Sequence, residues 1–302
     1  MESISPLTEE LDNAKFKFID VDGISTRYYE AGAGDPLFLF SGGQFGLPFV
    51  YSLDTWSLNI PGLAKHFHVY AVDKLGQGYT DNPKVDSDYT FEAVVQHAYG
   101  LIQALGISKC YVVGHSRGGL LGARLALEHP ELVKRLVIVD SASLAPESSI
   151  FPSGDWYSML PLQSGPPTLE SVKIEPYYQA YEKAQVTHDF ASRLLKIASR
   201  PQYQESQDKM ETLGPGQFSP SINRIRERTI VEIDKKGFSM PTLLIWGFND
   251  RSAPLPLGHH LFEHIVRNTP DAEMHILNGG GHNSYRDQPE LFNRTIKGFF
   301  AE

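Results

Sequence analysis

Cys110-Tyr111-Val112-Val113-Gly114-His115-Ser116-Arg117-Gly118-Gly119, running on into Leu120-Leu121-Gly122-Ala123-Arg124-Leu125-Ala126-Leu127, is the stretch whose reading decides the fold. Its first half is an apolar run and its second a helix-forming pattern, with G-x-S-x-G where one becomes the other. A strand, a sharp turn and a helix in that order carry Ser116 at the tip of the turn. Gly114 and Gly118 leave room where side chains would crowd the backbone, and the serine oxygen stands clear of the strand, within reach of a substrate.

A serine hydroxyl is a weak nucleophile near neutral pH, so this reading requires an imidazole base and a carboxylate to orient it. Both follow downstream. Residues 241–247 read as a buried strand with Asp250 just past its end, and residues 273–277 as another strand running into Asn278-Gly279-Gly280-Gly281-His282. The predicted triad is Ser116, Asp250 and His282, with Asp140, at the end of the strand over 132–139, as the reserve acid. Serine, then aspartate, then histidine is one of the known chain orders for such a triad.

Upstream, residues 15–21 and 24–30 alternate about Asp22-Gly23, a hairpin pattern, and residues 36–40 are continuously apolar, as in a strand covered on both faces. Ser41-Gly42-Gly43 follows, where glycines let backbone amides face a substrate oxygen. The amides of Gly43 and Arg117 are the expected oxyanion donors. Strands alternate with helical patterns from residue 37 onward, which predicts a mostly parallel sheet of about eight strands wrapped by helices. Between residues 144 and 240 the pattern changes to clustered prolines, including Pro152, and aromatics, including Phe151, Tyr157, Tyr177, Tyr178 and Tyr181. The expected organisation is a core over 1–143 and 241–302 and an inserted helical cap over 144–240.

A formal net charge of −9 and the absence of a dense basic run argue against a nucleic-acid surface. No apolar stretch has the length or flanks of a secretory leader or a membrane span, so the expected location is the cytoplasm. The single cysteine, Cys110, opens the strand before Ser116 and reads as a small buried hydrophobe. His260 and His264 have i, i+4 spacing but no apparent third ligand, so no metal site is assigned, and the chemistry calls for no cofactor.

On Gly114-His115-Ser116-Arg117-Gly118, Ser41-Gly42-Gly43, residues 73–81, residues 246–250 and Gly281-His282, the chain resembles the α/β-hydrolase superfamily from about residue 15 to its end. Residues 55–61, 139–146 and 186–193 are similar to the meta-cleavage product hydrolases, which cut a carbon–carbon bond in 2-hydroxy-6-oxohexa-2,4-dienoates. That resemblance implies that Arg193 binds the 2-hydroxy acid end of the substrate, and Gly42 and His115 are taken with it as substrate-binding residues. The chain departs from the family's usual residues at Ser41 (histidine), at His115 and Arg117 (asparagine and methionine) and at Asn283 (tryptophan). An esterase or lactonase, or a non-catalytic small-molecule receptor on the same fold, are the competing readings. The expected partner is a small-molecule substrate, with no nucleic acid or membrane; self-association is left open.

Overall fold

A computed structural model describes residues 11–146, 155–163 and 165–301. Phe151 and Pro152, counted above in the cap, lie outside the described residues. Eight strands form one sheet: β1 (Phe16–Val21), β2 (Ile24–Ala31), β3 (Pro36–Phe40), β4 (His68–Val72), β5 (Cys110–His115), β6 (Val133–Val139), β7 (Thr242–Gly247) and β8 (Ala272–Leu277). Their order is β1-β2-β4-β3-β5-β6-β7-β8. β1 and β2 pair antiparallel as the hairpin pattern predicts, β2 joins β4 antiparallel, and the remaining pairs are parallel. This is the α/β-hydrolase fold.

Continuous apolar runs in the central strands serve two faces at once, since successive side chains point to opposite sides. Phe38, Val112, Leu136 and Leu244 pack on one face, beneath the helices α1 (Phe91–Ala104) and α2 (Arg117–Glu128). Leu37, Val113, Val137 and Ile245 pack on the other, against Phe292, Ile296, Phe299 and Phe300 of the C-terminal helix, Pro289–Ala301. Cys110 is fully buried and burial pushes its thiol up to about 12, in keeping with a packing role.

Between β6 and β7 the described chain is helical: α3 (Ile174–Gln179), α4 (His188–Ala198), α5 (Pro201–Leu213) and α6 (Ser219–Lys236) are its main helices. This insertion is not one body. Ile225 and Ile233 of α6 belong to the main core with α1 and α2, whereas Phe190, Ala191, Leu194 and Ile197 of α4 form a small separate cluster with Val50 and Val172. Within the stretch expected to be cap, α6 therefore packs against α1 and α2 of the core. Among the described residues no helix is long and apolar enough to cross a membrane.

Candidate active site

Ser116 follows β5 with φ 53° and ψ −119°, a backbone conformation that non-glycine residues rarely occupy. Two glycines make the turn feasible. A Cβ on Gly114 would be driven into the Gly118 carbonyl, and one on Gly118 into the Phe40 carbonyl, so the helix can start this close to the sheet only with hydrogen at both positions. The Ser141 hydroxyl donates to the Ser116 carbonyl at 2.6 Å and braces the turn from β6.

The loops after β7 and β8 bring the other two groups together. His282 Nδ1 and Asp250 Oδ2 are 2.7 Å apart, and both side chains are almost wholly buried. The other oxygen of Asp250 accepts from the amides of Ser252 at 2.9 Å and Ala253 at 2.8 Å, which fixes the carboxylate's orientation. Burial alone would lower the imidazole's pKa, but the Asp250 carboxylate, with smaller help from Asp140 and Glu175, raises it above the ordinary value. His282 Nε2 has no hydrogen-bond partner among the described residues, and His282 and Ser116 line the same cavity of about 430 Å³. Asp140, the reserve acid, points elsewhere: its oxygens accept from the Gly247 amide and the Ser284 hydroxyl, both at 2.6 Å. Burial and the neighbouring Asp250 carboxylate push its pKa well up.

Gly43 also lines the cavity, as does Arg117, and neither amide donates to a backbone or side-chain acceptor among the described residues. The Gly43 carbonyl is held from behind by Lys74 Nζ at 2.9 Å, and Lys74 and Gln77 both donate to the Gly42 carbonyl at 3.2 Å. This clamp turns the loop's carbonyls away from Ser116. No spacing signal in the sequence connects Lys74 to the Gly42-Gly43 loop.

Three residues expected to contact substrate are absent from the lining of this cavity. Arg193 does not reach the cavity; its Nε lies 3.2 Å from Asp54 Oδ1, and it lines a separate outer groove with Asp12 and Asp189. The similarity of residues 186–193 places the helix α4 but not the direction of this side chain. His115 is fully buried behind the turn, its Nε2 2.8 Å from the His282 carbonyl, and burial, followed by the nearby His282, pushes its pKa well below that of a free imidazole. Gly42 gives His115 its space, since a Cβ there would sit 2.9 Å from His115 Nδ1. Both residues shape the cavity from outside it.

Other wall residues escaped the sequence reading. Tyr51, in the loop after β3, lines the cavity and donates to Glu175 Oε1 at 2.7 Å; Glu175 is buried on α3, and burial raises its carboxyl to about 7. Tyr157 lines the cavity and stacks on Phe49 at 5.3 Å, whereas Tyr177, Tyr178 and Tyr181 are exposed. Asp287 accepts from the amides of Gly281, Tyr181 and Glu182, which ties the loop of His282 to the helical layer. His264 is engaged with Asp234 at 2.7 Å, and among the described residues no group of three or more His, Cys, Asp or Glu is placed to hold a metal.

A strained serine turn after the fifth strand, a buried aspartate–histidine pair on the loops after the seventh and eighth, and a glycine loop after the third are arranged as a serine hydrolase would need them. The α/β hydrolase fold family matches residues 36–289, and the chain belongs to it and is a hydrolase. It is 29% identical over 285 residues to the 2-hydroxymuconate semialdehyde hydrolase of Pseudomonas sp. (strain CF600), covering 93% of this chain and 92% of that protein. The enzyme of the same name from Pseudomonas putida is 31% identical over 235 residues, covering 78% and 77%. The solved meta-cleavage product hydrolase CumD from Pseudomonas fluorescens IP01 superposes with a TM-score of 0.77 at 28% identity, over 96% of this chain and 99% of that one.

Proposed function

We propose that the protein is a serine hydrolase that cuts the carbon–carbon bond of 2-hydroxy-6-oxohexa-2,4-dienoate-type ring-cleavage products. The observation that carries this reading is the buried Asp250–His282 pair, whose Nε2 has no partner among the described residues and whose histidine lines the same cavity as Ser116. His282 takes the proton of Ser116 as the hydroxyl oxygen bonds to the 6-oxo carbon. Asp250 stabilises the imidazolium, and the amides of Gly43 and Arg117 hold the oxyanion. General-base action of this kind contributes about 10²- to 10⁴-fold, and one oxyanion donor roughly 3–4 kcal/mol. As the carbonyl re-forms, the carbon–carbon bond breaks. This requires the substrate to have tautomerised first, its 2-hydroxyl proton moving to C5 so that C2 becomes a carbonyl. The electron pair of the broken C5–C6 bond then passes through the 3,4-double bond to the C2 oxygen, and the resulting dienolate takes up the proton from His282. Water, deprotonated by the same imidazole, then releases the acid from Ser116. The names of the relatives support the substrate class, and the cavity, apolar with a few polar groups, suits a conjugated acid.

A second reading, hydrolysis of a small ester or lactone, is supported by the position of Arg193, which pairs with Asp54 and lines an outer groove and not the cavity. Turnover of a 2-hydroxy-6-oxohexa-2,4-dienoate, followed by loss of its ultraviolet absorbance, against turnover of p-nitrophenyl esters and lactones separates the two. A kcat/KM for the dienoate below that for the simple esters would reject the carbon–carbon reading.

A further inference from the structure

Arg117, half-buried, stands apart from the other arginines packed into the fold. Arg27 pairs with Asp73 and Asp54, Arg124 with Glu128 and Glu232, and Arg193 with Asp54. Arg286 is held by the side chain and carbonyl of Gln185 and the carbonyl of Thr55. Arg117, the residue after Ser116, makes no ion pair or side-chain hydrogen bond among the described residues. Its guanidinium carbon lies 5.9 Å from the ring of Phe218, and the side chain is near enough to Tyr51 and Tyr157, both on the cavity wall, to interact with them electrostatically. Arg226 and Asn223 of α6 line the same cavity. An enclosed cation without a counter-ion costs free energy, and that cost is offset when a ligand brings the anion.

We propose that Arg117, with Arg226 and Asn223, forms a carboxylate-binding subsite beside the nucleophile, so that acidic substrates are preferred and Arg117 does the work that resemblance assigned to Arg193. A planar guanidinium offers paired N–H donors to a carboxylate, and such charge-assisted bonds are stronger than neutral ones. The inference rests on Ser116 being the nucleophile, but not on which bond is cut. The amide of Arg117 would serve the oxyanion while its side chain serves specificity, so one residue links recognition of the acid to the position of the reacting carbonyl.

The test compares kcat/KM for mono-p-nitrophenyl succinate with that for p-nitrophenyl butyrate, a neutral ester of similar size, in the wild type, Arg117→Met and Arg226→Gln. The wild type is expected to prefer the acid. That preference should fall about tenfold to a hundredfold in Arg117→Met and by a smaller factor in Arg226→Gln, since a charge-assisted hydrogen bond is roughly a tenfold to hundredfold effect. Inhibition of butyrate-ester turnover by glutarate should weaken in parallel. A wild type without preference for the acid, or a preference unchanged in the variants, overturns the subsite. If Arg117→Met does not fold, an unchanged preference in Arg226→Gln alone overturns it. Because the esters report the subsite whether or not dienoates are cut, failure of the carbon–carbon reading and failure of this one give different results.

Discussion

The floor of the cavity and its roof are held in place by different means. The floor is carried on strand ends: Ser116, Asp250 and His282 follow β5, β7 and β8, of which β5 and β7 are buried along their whole length and β8 forms the sheet edge. The roof is carried on short helices with a small apolar cluster of their own, and polar contacts fasten it to the floor. Tyr51 meets Glu175, Arg286 meets Gln185, and Asp287 meets the amides of Tyr181 and Glu182. Closely packed strand ends tolerate little displacement, so reactive groups placed there keep their geometry. A layer fastened by hydrogen bonds to loops can vary in sequence while the chemistry below is preserved, which suits it to substrate selection.

Substitutions on the floor should have the largest effects. Ser116→Ala is expected to lower kcat by roughly 10⁶-fold and to abolish fluorophosphonate labelling. Labelling that persists in the variant would detach the elbow from the reaction. Asp250→Asn should cost roughly 10⁴-fold, and it should also move the pH profile. The imidazole accepts a proton only when neutral, so kcat/KM falls as pH drops through the pKa of His282. That pKa lies above 6.5 in the wild type chiefly because of Asp250, so the acid limb should shift to lower pH in the variant. A limb that stays where it was would exclude His282 as the titrating group. Gly118→Ala, whose methyl meets the Phe40 carbonyl, should destabilise the fold by about 3 kcal/mol in urea melts.

Roof and outer-surface substitutions should act more weakly and on other observables. Burial raises the Glu175 carboxyl from 4.5 to about 7, so the folded state holds a proton that the unfolded chain releases. Stability then declines as pH rises from 4.5 through 7. Glu175→Gln keeps an acceptor for Tyr51 and should flatten that decline, by on the order of 1–3 kcal/mol at pH 8. Equal slopes in the two proteins would remove Glu175 from the pH response. Arg193→Ala should leave kcat/KM within about twofold and stability within about 1 kcal/mol, since Asp54 keeps Arg27 at 2.9 Å. A tenfold loss would return Arg193 to substrate binding.

The contrast between floor and roof also describes what could be read from the chain. The hairpin about Asp22-Gly23, the strands over 36–40 and 110–115 and the loops with Asp250 and His282 were legible, because strand runs and glycine turns are local patterns. Lys74 on the Gly42 and Gly43 carbonyls, Glu175 under Tyr51 and Asp287 on the Gly281 amide were not. Each joins segments through a side chain whose target no local pattern names. Arg193 shows the same limit in reverse: a similar segment placed its helix, but its contact with Asp54 depends on how that helix sits.

By itself the amino-acid sequence determined the strand–turn–helix at Ser116, the parallel sheet behind it and the order in which acid and base arrive, since hydrophobic period and glycine placement are properties of neighbouring residues. Only the tertiary structure decided which arginines line the cavity and which tyrosines form its wall. Those outcomes depend on the packing of elements far apart in the chain, where a change of a few ångströms or of one helix face turns a side chain from ligand contact to ion pair.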